Sequence, residues 1–127
     1  MILQAAAGGW HSVLLTSKGQ VLTCGMSQSG QLGHGDTTAK ANPTIIDIFS
    51  DMTITDIACG SRHTVLLTSD GDVYAFGCNT CKQVTSDNNS SYSAVPVLVE
   101  GIPENSVKII ACGSSWVFAI AEEQKSM

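Results

Sequence analysis

The sequence predicts an all-β protein assembled from small antiparallel sheets that stack on one another. Three observations support this prediction: a repeat with a period of about 52 residues, strand-length apolar runs that end in glycine-containing turns, and a charged fraction of only 13% in 127 residues. The 12 glycines and 26 serines and threonines also suit short strands and tight turns better than helices. We therefore expect several similar β units in one chain.

The repeat itself is visible in the sequence. Segments 6–32 and 58–84 align without a gap, and 12 of their 27 positions are identical. A third, shorter copy (ACGSSWVFAIAEE) begins at Ala111. A fixed period of this length is typical of proteins in which each repeat is one supersecondary unit. The period divides the chain into four parts, which are a partial repeat at 1–17, repeat units at 18–69 and 70–121, and a C-terminal tail at 122–127.

Each full copy contains the pattern of a β-hairpin. HSVLLT (11–16) and HTVLLT (63–68) are rich in β-forming residues and apolar on both faces in the middle, which predicts strands that are covered on both sides. The turns that follow, SKG (17–19) and SDG (69–71), contain the glycine that a tight hairpin needs. The runs QVLTCG and DVYAFG then predict the second strand of each hairpin.

Other segments flank these hairpins. TITDIACG (53–60) and SVKIIACG (106–113) predict a strand before the second and third hairpins, so that one unit has three or four strands. The polar segments 33–52 and 85–105 are expected to be loops between units, and residues 45–49 fit either a strand or a helical turn. A small sheet cannot bury both of its faces alone, so the units must stack, as propeller blades or solenoid coils do.

The sequence resembles the regulator of chromosome condensation repeat family in GQLGHGDT (30–37), ACGSRHTVLLTSDGDVYAFG (58–77) and AGGWHSVLLTSKGQVLTCG (7–25). The resemblance implies a β-propeller, which in this family has seven four-stranded blades. Seven blades of this period would need about 360 residues. We therefore predict a partial β-propeller of two antiparallel four-stranded blades plus strands of a third. The third copy ends without a glycine turn, and residues 1–5 are too few to complete it.

The resemblance also bears on function. Family members include a chromatin-bound exchange factor for a small nuclear GTPase, a plant ultraviolet-B photoreceptor and many interaction adaptors. The sequence contains no paired carboxylates in a catalytic frame and no nucleophile with a base at motif spacing. We therefore expect a non-enzymatic protein-interaction or adaptor module without a cofactor. The alternatives are a guanine-nucleotide exchange regulator of a small GTPase or a chromatin-associated regulator, and an inactive fragment or alternative product of a longer propeller protein.

The charge of the chain limits the class of partner that we expect, and its cysteine content limits the expected cellular compartment. The chain has 11 acidic and 6 basic residues, which argues against direct binding of nucleic acid, and no apolar run reaches the length of a membrane span. The five cysteines and the poor signal character of MILQAAAGGW favour reduced thiols in a cytoplasmic or nuclear protein. We expect a protein partner, with a small GTPase or a chromatin protein as candidates. Uncovered blade faces also predict self-association or heteromeric completion of the propeller.

Two adjacent repeat positions are candidates for partner binding. They are occupied by Trp10 and His11 in the first copy, Arg62 and His63 in the second, and Ser115 and Trp116 in the third. Tryptophan and arginine at the first position are residue types enriched in interaction hot spots, although the position also fits ordinary surface. Histidine at the second position resembles one that family exchange factors use to contact a GTPase. Because it recurs with the repeat, we favour the alternative, an imidazole hydrogen-bonded to backbone in a neighbouring copy.

Three further motifs predict no site. The C-x-x-C at 78–81 follows a strand instead of beginning a helix, and two further zinc ligands are missing. The glycines of GQLGHG (30–35) lack the strand and helix of a phosphate loop and are better explained by turns. Photoreception in the family would require tryptophans two residues before the histidine, whereas Trp10 directly precedes His11. No metal or cofactor site is therefore expected.

Overall fold

The chain forms three antiparallel sheets in the part that the structure, a computed structural model, describes. That part comprises residues 1–47, 52–78 and 92–99 and the backbone of two further strands at 107–112 and 117–121. Blade 1 has the order β1-β2-β3-β4, with β1 (Ile2–Ala7), β2 (His11–Thr16), β3 (Val21–Gly25) and β4 (Lys40–Ile45). Blade 2 has the order β5-β6-β7-β8, with β5 (Ile54–Cys59), β6 (His63–Thr68), β7 (Val73–Cys78) and β8 (Tyr92–Leu98). The third sheet pairs β9 (Val107–Cys112) with β10 (Val117–Ala121).

These sheets confirm the predicted all-β class, the two four-stranded blades and the strands of a third. The same register recurs in both blades: Val13 pairs with Thr23 across β2 and β3, and Val65 pairs with Ala75 across β6 and β7. No helix long and apolar enough to cross a membrane occurs among the described residues. The fold is therefore carried by sheets throughout this part of the chain.

The hairpin turns are closed by threonine and glycine. The Thr16 hydroxyl accepts a hydrogen bond from the backbone N–H of Gln20 at 3.1 Å, and the Thr68 hydroxyl does the same for Asp72 at 3.1 Å. Gly19 adopts a φ of 77° in the first turn, a conformation that glycine takes without steric cost. The T-S-x-G pattern thus explains why both predicted hairpins form.

The outer strand of each blade corrects the sequence prediction. Segments 33–52 and 85–105 were expected to be loops, but each contains a strand, β4 and β8 respectively. Both strands contain a proline, Pro43 and Pro96, which lacks the N–H that a central strand must donate. An edge strand tolerates this loss because one side of its backbone has no neighbour in the sheet. Of the ambiguous segment 45–49, Ile45 ends β4, whereas residues 48 and 49 lie outside the described part.

The blades pack face to face. One core cluster combines Val13, Leu15, Val21 and Ile46 with Ile54, Ile57, Leu66 and Phe76, so it contains residues from both blades. A second cluster (Val65, Leu67, Val73 and Ala75) lies on the other face of blade 2, where β9 contacts β5 and β6. Gln4 also donates hydrogen bonds from its Nε2 to Asp56 Oδ1 at 2.9 Å and to Ile57 O at 3.3 Å, which joins β1 to β5. The predicted stacking of units is present.

The two central strands differ in how well they are covered. All six residues of β6 are buried, whereas β2 alternates between buried and half-buried residues. Leu66 is fully buried against blade 1, but Leu14, at the same repeat position, is half-buried. The prediction of strands covered on both sides is confirmed for blade 2. In blade 1 only the face that packs against blade 2 is fully covered.

Candidate functional site

The glycine-rich segment after β3 lies across blade 2. A Cβ atom at Gly30 would be 2.5 Å from the Cα of Ala94, and one at Gly33 would be 2.8 Å from the Phe76 ring. Both glycines have positive φ, 70° and 77°, so no other residue fits without strain. Leu32, between them, is fully buried. The segment is a clasp that holds one blade onto the next.

A buried hydrogen-bond relay connects this clasp to the central strands. His11 Nε2 lies 2.8 Å from Thr64 Oγ1, and the Thr64 hydroxyl donates to the carbonyl of Gln31 at 2.8 Å. Because a hydroxyl has a single hydrogen, which Gln31 receives, His11 must carry its proton on Nε2 and donate it to Thr64. His11 Nδ1 is buried without a hydrogen-bond partner. The relay therefore requires a neutral imidazole.

The charge state of His11 agrees with this requirement. Burial, and to a smaller extent the neighbouring His63, lower the pKa of His11 from 6.5 to about 4. The ring therefore stays neutral at physiological pH, as a donor in the relay must if its Nδ1 is to remain buried and unprotonated. His11 acts between the blades, where a positive charge would be poorly solvated.

Neither candidate histidine lies on the surface. His11 is 4% exposed and His63 is fully buried at the same position of blade 2. Each ring packs against the glycine three residues before it, Gly8 or Gly60, at a distance that leaves no room for a Cβ atom. This burial keeps both rings out of contact with solvent. Ser115 and Trp116, the third pair of predicted residues, lie outside the described residues.

Trp10 and Arg62, in contrast, are exposed and line one groove. Trp10, in the turn between β1 and β2, is 63% exposed, and Arg62 occupies the equivalent turn between β5 and β6. The groove has a volume of about 230 Å³. Its other lining residues come from the start of the clasp, and they are Met26, Gln28, Ser29 and Gln31. The structure thus brings two predicted residues together and adds four that sequence reasoning missed.

Backbone contacts hold the two turns in place. The carbonyl of Trp10 accepts a hydrogen bond from the Met26 N–H at 2.9 Å, and the carbonyl of Arg62 accepts one from the Cys78 N–H at 2.9 Å. Gly9 N donates to Ser61 O at 3.1 Å, which links the turns directly. These bonds use backbone groups only. The turns that carry the exposed side chains of Trp10 and Arg62 are therefore fixed by their own backbones.

A second groove, of about 220 Å³, lies between the outer strands and contains His34. His34 Nε2 lies 2.9 Å from Thr23 Oγ1, whose hydrogen goes to the carbonyl of Leu32 at 2.8 Å, so His34 donates to Thr23. Partial burial and the nearby Lys40 lower the pKa of His34. This histidine holds the clasp, as His11 does.

The cysteines and possible metal ligands are scattered in the part of the chain that the structure describes. No three of their histidine, cysteine, aspartate and glutamate side chains gather closely enough to hold a metal ion. Of the C-x-x-C motif, Cys78 is half-buried at the end of β7, and Cys81 lies outside the described part. The motif therefore cannot be placed as a pair.

Stacked four-stranded antiparallel blades joined by a clasp and a buried relay define a β-propeller repeat protein. The chain matches the family described as the regulator of chromosome condensation (RCC1) repeat over residues 18–67 and 70–120. A second profile with the same description matches residues 2–31 and 54–83. The chain therefore belongs to the RCC1 repeat family, and the resemblance found in the sequence is confirmed.

Individual relatives support this assignment. The chain is 35% identical to the protein RCC2 homolog of Danio rerio over 84% of its own length and 21% of the relative's. It is 36% identical to the ultraviolet-B receptor UVR8 of Arabidopsis thaliana over 94% of its own length and 27% of the relative's. It superimposes on Prp20p of Saccharomyces cerevisiae with a TM-score of 0.81 and 25% identity, covering 95% of this chain and 31% of that one. The predicted partial β-propeller is confirmed, and the chain spans under a third of each of these relatives.

Proposed function

We propose that the chain is a non-enzymatic protein-interaction module and that its partner binds the groove between Trp10 and Arg62. The observation that carries the proposal is the convergence of two equivalent turns from two blades on one groove. Tryptophan and arginine are the residue types most enriched where protein contacts contribute most binding free energy. A tryptophan that is 63% exposed has no role in the core, which favours binding.

The proposal includes the cellular setting expected from the sequence. We propose a protein partner, with no direct role for nucleic acid or membrane, in the cytoplasm or nucleus. The net charge of −5 supports this choice because it disfavours contact with nucleic-acid phosphates. Ser115 and Trp116 remain predicted contact residues at the third equivalent position.

The test is site-specific photo-crosslinking in cells. A photoreactive phenylalanine analogue replaces Gln28, which is exposed on the groove, and in a second protein it replaces Lys18, which is exposed at the opposite end of β2. We expect one defined protein adduct from position 28 and none from position 18. Adding Trp10→Ala and Arg62→Gln should reduce the adduct at position 28 by about tenfold or more, since hot-spot residues contribute about 2 kcal/mol or more. Equal adducts at both positions would contradict the proposal.

A second candidate function is guanine-nucleotide exchange on a small GTPase, or association with chromatin. Its support is the similarity to Prp20p, whose structure is described together with its binding to Gsp1p and histones. A labelled-GDP release assay on a small nuclear GTPase tests the exchange function. Acceleration that saturates with added chain would establish it, and an unchanged release rate would restrict the chain to binding.

The half-covered face of blade 1 supports a further proposal, that the propeller is completed by self-association or by another chain. Leu14 is half-buried where Leu66 is fully buried, so blade 1 lacks the cover that it gives to blade 2. Without completion the chain would act as an inactive piece of a propeller, the third alternative. Light scattering of the purified chain tests self-association, because a monomer at all concentrations would exclude it.

A further inference from the structure

We infer that the groove between Trp10 and Arg62 takes an acidic segment of a partner protein, in which a carboxylate lies next to a large apolar side chain. The inference rests on the proposed function, because it names the chemistry of the partner that binds there. It depends on three properties of the groove, which are its charge, its apolar surface and its size.

The charge of the groove is opposite to that of the chain as a whole. The chain carries 11 acidic residues against 6 basic ones, yet the lining residues that the structure describes include Arg62 and no aspartate or glutamate. Arg62 is exposed, and its backbone carbonyl is already used by the Cys78 N–H. A planar guanidinium fits a carboxylate through two parallel hydrogen bonds, whereas a lysine would supply only a point charge. The charged end of the occupant is therefore an aspartate or glutamate side chain.

The apolar surface lies beside this charge. Trp10 is 63% exposed and Met26 is 39% exposed, and both line the same groove. An indole offers a large rigid contact area, and a methionine adapts to the shape of the group that it contacts. The occupant therefore presents an aliphatic or aromatic side chain next to its carboxylate.

The size of the groove selects a peptide segment. Its volume of about 230 Å³ lies below the roughly 300–1,000 Å³ of pockets that enclose drug-sized ligands. One or two side chains are of a size that fits this space. The wall is also preformed, because the Ser29 N–H bonds Gln31 Oε1 at 2.9 Å and the Gly30 N–H bonds Ser27 O at 2.9 Å. Binding to such a wall does not require the loop to be ordered first.

The experiment uses three short synthetic peptides and the full chain. The first is acetyl-Ser-Glu-Leu-Glu-Ser-amide, the second replaces both glutamates with glutamine, and the third replaces leucine with glycine. Binding is followed by the shift of the Trp10 indole N–H resonance, which is assigned with a Trp10→Phe variant. We expect saturable shifts with the first peptide, and affinities about fivefold lower with each of the others, since an exposed charge contact and a partly buried side chain each contribute about that factor.

Variants of the chain separate the groove from general charge effects. Arg62→Gln should lower the affinity for the acidic peptide to that for the glutamine peptide, and Lys18→Gln, which removes an exposed cation elsewhere, should change nothing. Equal affinity for the acidic and glutamine peptides, no shift with any peptide, or an equal effect of the two variants would overturn the inference. In those cases a crosslink at position 28 that depends on Trp10 and Arg62 would still support the proposed function. Loss of that crosslink together with normal peptide binding would instead remove the proposed function.

Discussion

Replacing Thr64 with valine should destabilise the protein strongly, because one hydroxyl completes the hydrogen bonds of two blades. The change keeps the shape of the side chain and removes only the oxygen between His11 Nε2 and the Gln31 carbonyl, each 2.8 Å away. His11 is 4% exposed and Gln31 is 2% exposed, so water cannot replace the lost partner. An unsatisfied buried polar group costs about 1–3 kcal/mol, and two such groups imply a loss of about 2–6 kcal/mol in the free energy of unfolding.

Urea denaturation at pH 7 measures this loss, and two controls interpret it. Thr64→Ser keeps the hydroxyl and should cost about 1 kcal/mol for the lost methyl group. Ser12→Ala removes a hydroxyl from the same repeat position of blade 1, where the residue is half-buried, and should cost less than about 0.5 kcal/mol. A Thr64→Val protein within about 0.5 kcal/mol of the unaltered chain, or an equal cost for Ser12→Ala, would refute the relay as a joint between blades.

Three further predictions concern the relay, the clasp and the blade faces. Because the pKa of His11 is lowered to about 4 in the folded chain, neutral His11 contributes fully to the free energy of unfolding above pH 6.5, and this contribution is lost as the pH falls towards 4. Urea titrations at several pH values should show a loss of about 3 kcal/mol at most, and the loss should be smaller in the His11→Gln variant. Gly33→Ala should lower the free energy of unfolding by about 1–3 kcal/mol, because φ is 77° and the new Cβ would lie 2.8 Å from the Phe76 ring. The midpoint of thermal unfolding measures this loss, and an unchanged midpoint would contradict the close packing. Leu66→Ala should cost about 3 kcal/mol and Leu14→Ala about 1 kcal/mol in urea, since Leu66 is fully buried; equal costs would show that both blades are equally covered.

The features that depend on contacts within a single repeat could be predicted from the sequence. The hairpins depend on contacts within a few residues, such as the Thr16 hydroxyl on the Gln20 N–H, so the T-S-x-G pattern predicts them. Recurrence of the histidine with the repeat also favours a structural role for it. The Nε2 atom of the His11 ring bonds the Thr64 side chain in the neighbouring copy, a partner that recurrence does not specify.

Features that depend on contacts between repeats could not be predicted from the sequence. The polar composition of segments 33–52 and 85–105 predicts loops where the outer strands lie, because nothing in the local sequence shows that a strand is at an edge. Met26 and Gln28 were not predicted to line the groove with Arg62, since they are 36 and 34 residues away and meet it only when the blades stack. The sequence feature that could have indicated this contact is their position shortly after Gly25, at the start of the glycine-rich segment.

The two blades contribute different groups to the relay and the clasp. This difference fixes the order in which one blade can stack on the next. Blade 1 contributes the imidazole and the loop carbonyl, and blade 2 contributes only the hydroxyl that lies between them. A blade added in the reverse order would bring two hydroxyl faces together and leave both imidazoles without an acceptor. Contacts of this head-to-tail kind either close into a ring or continue as a helix, and they never form a two-fold pair. Duplication of this unit therefore produces a series with a fixed rotational sense.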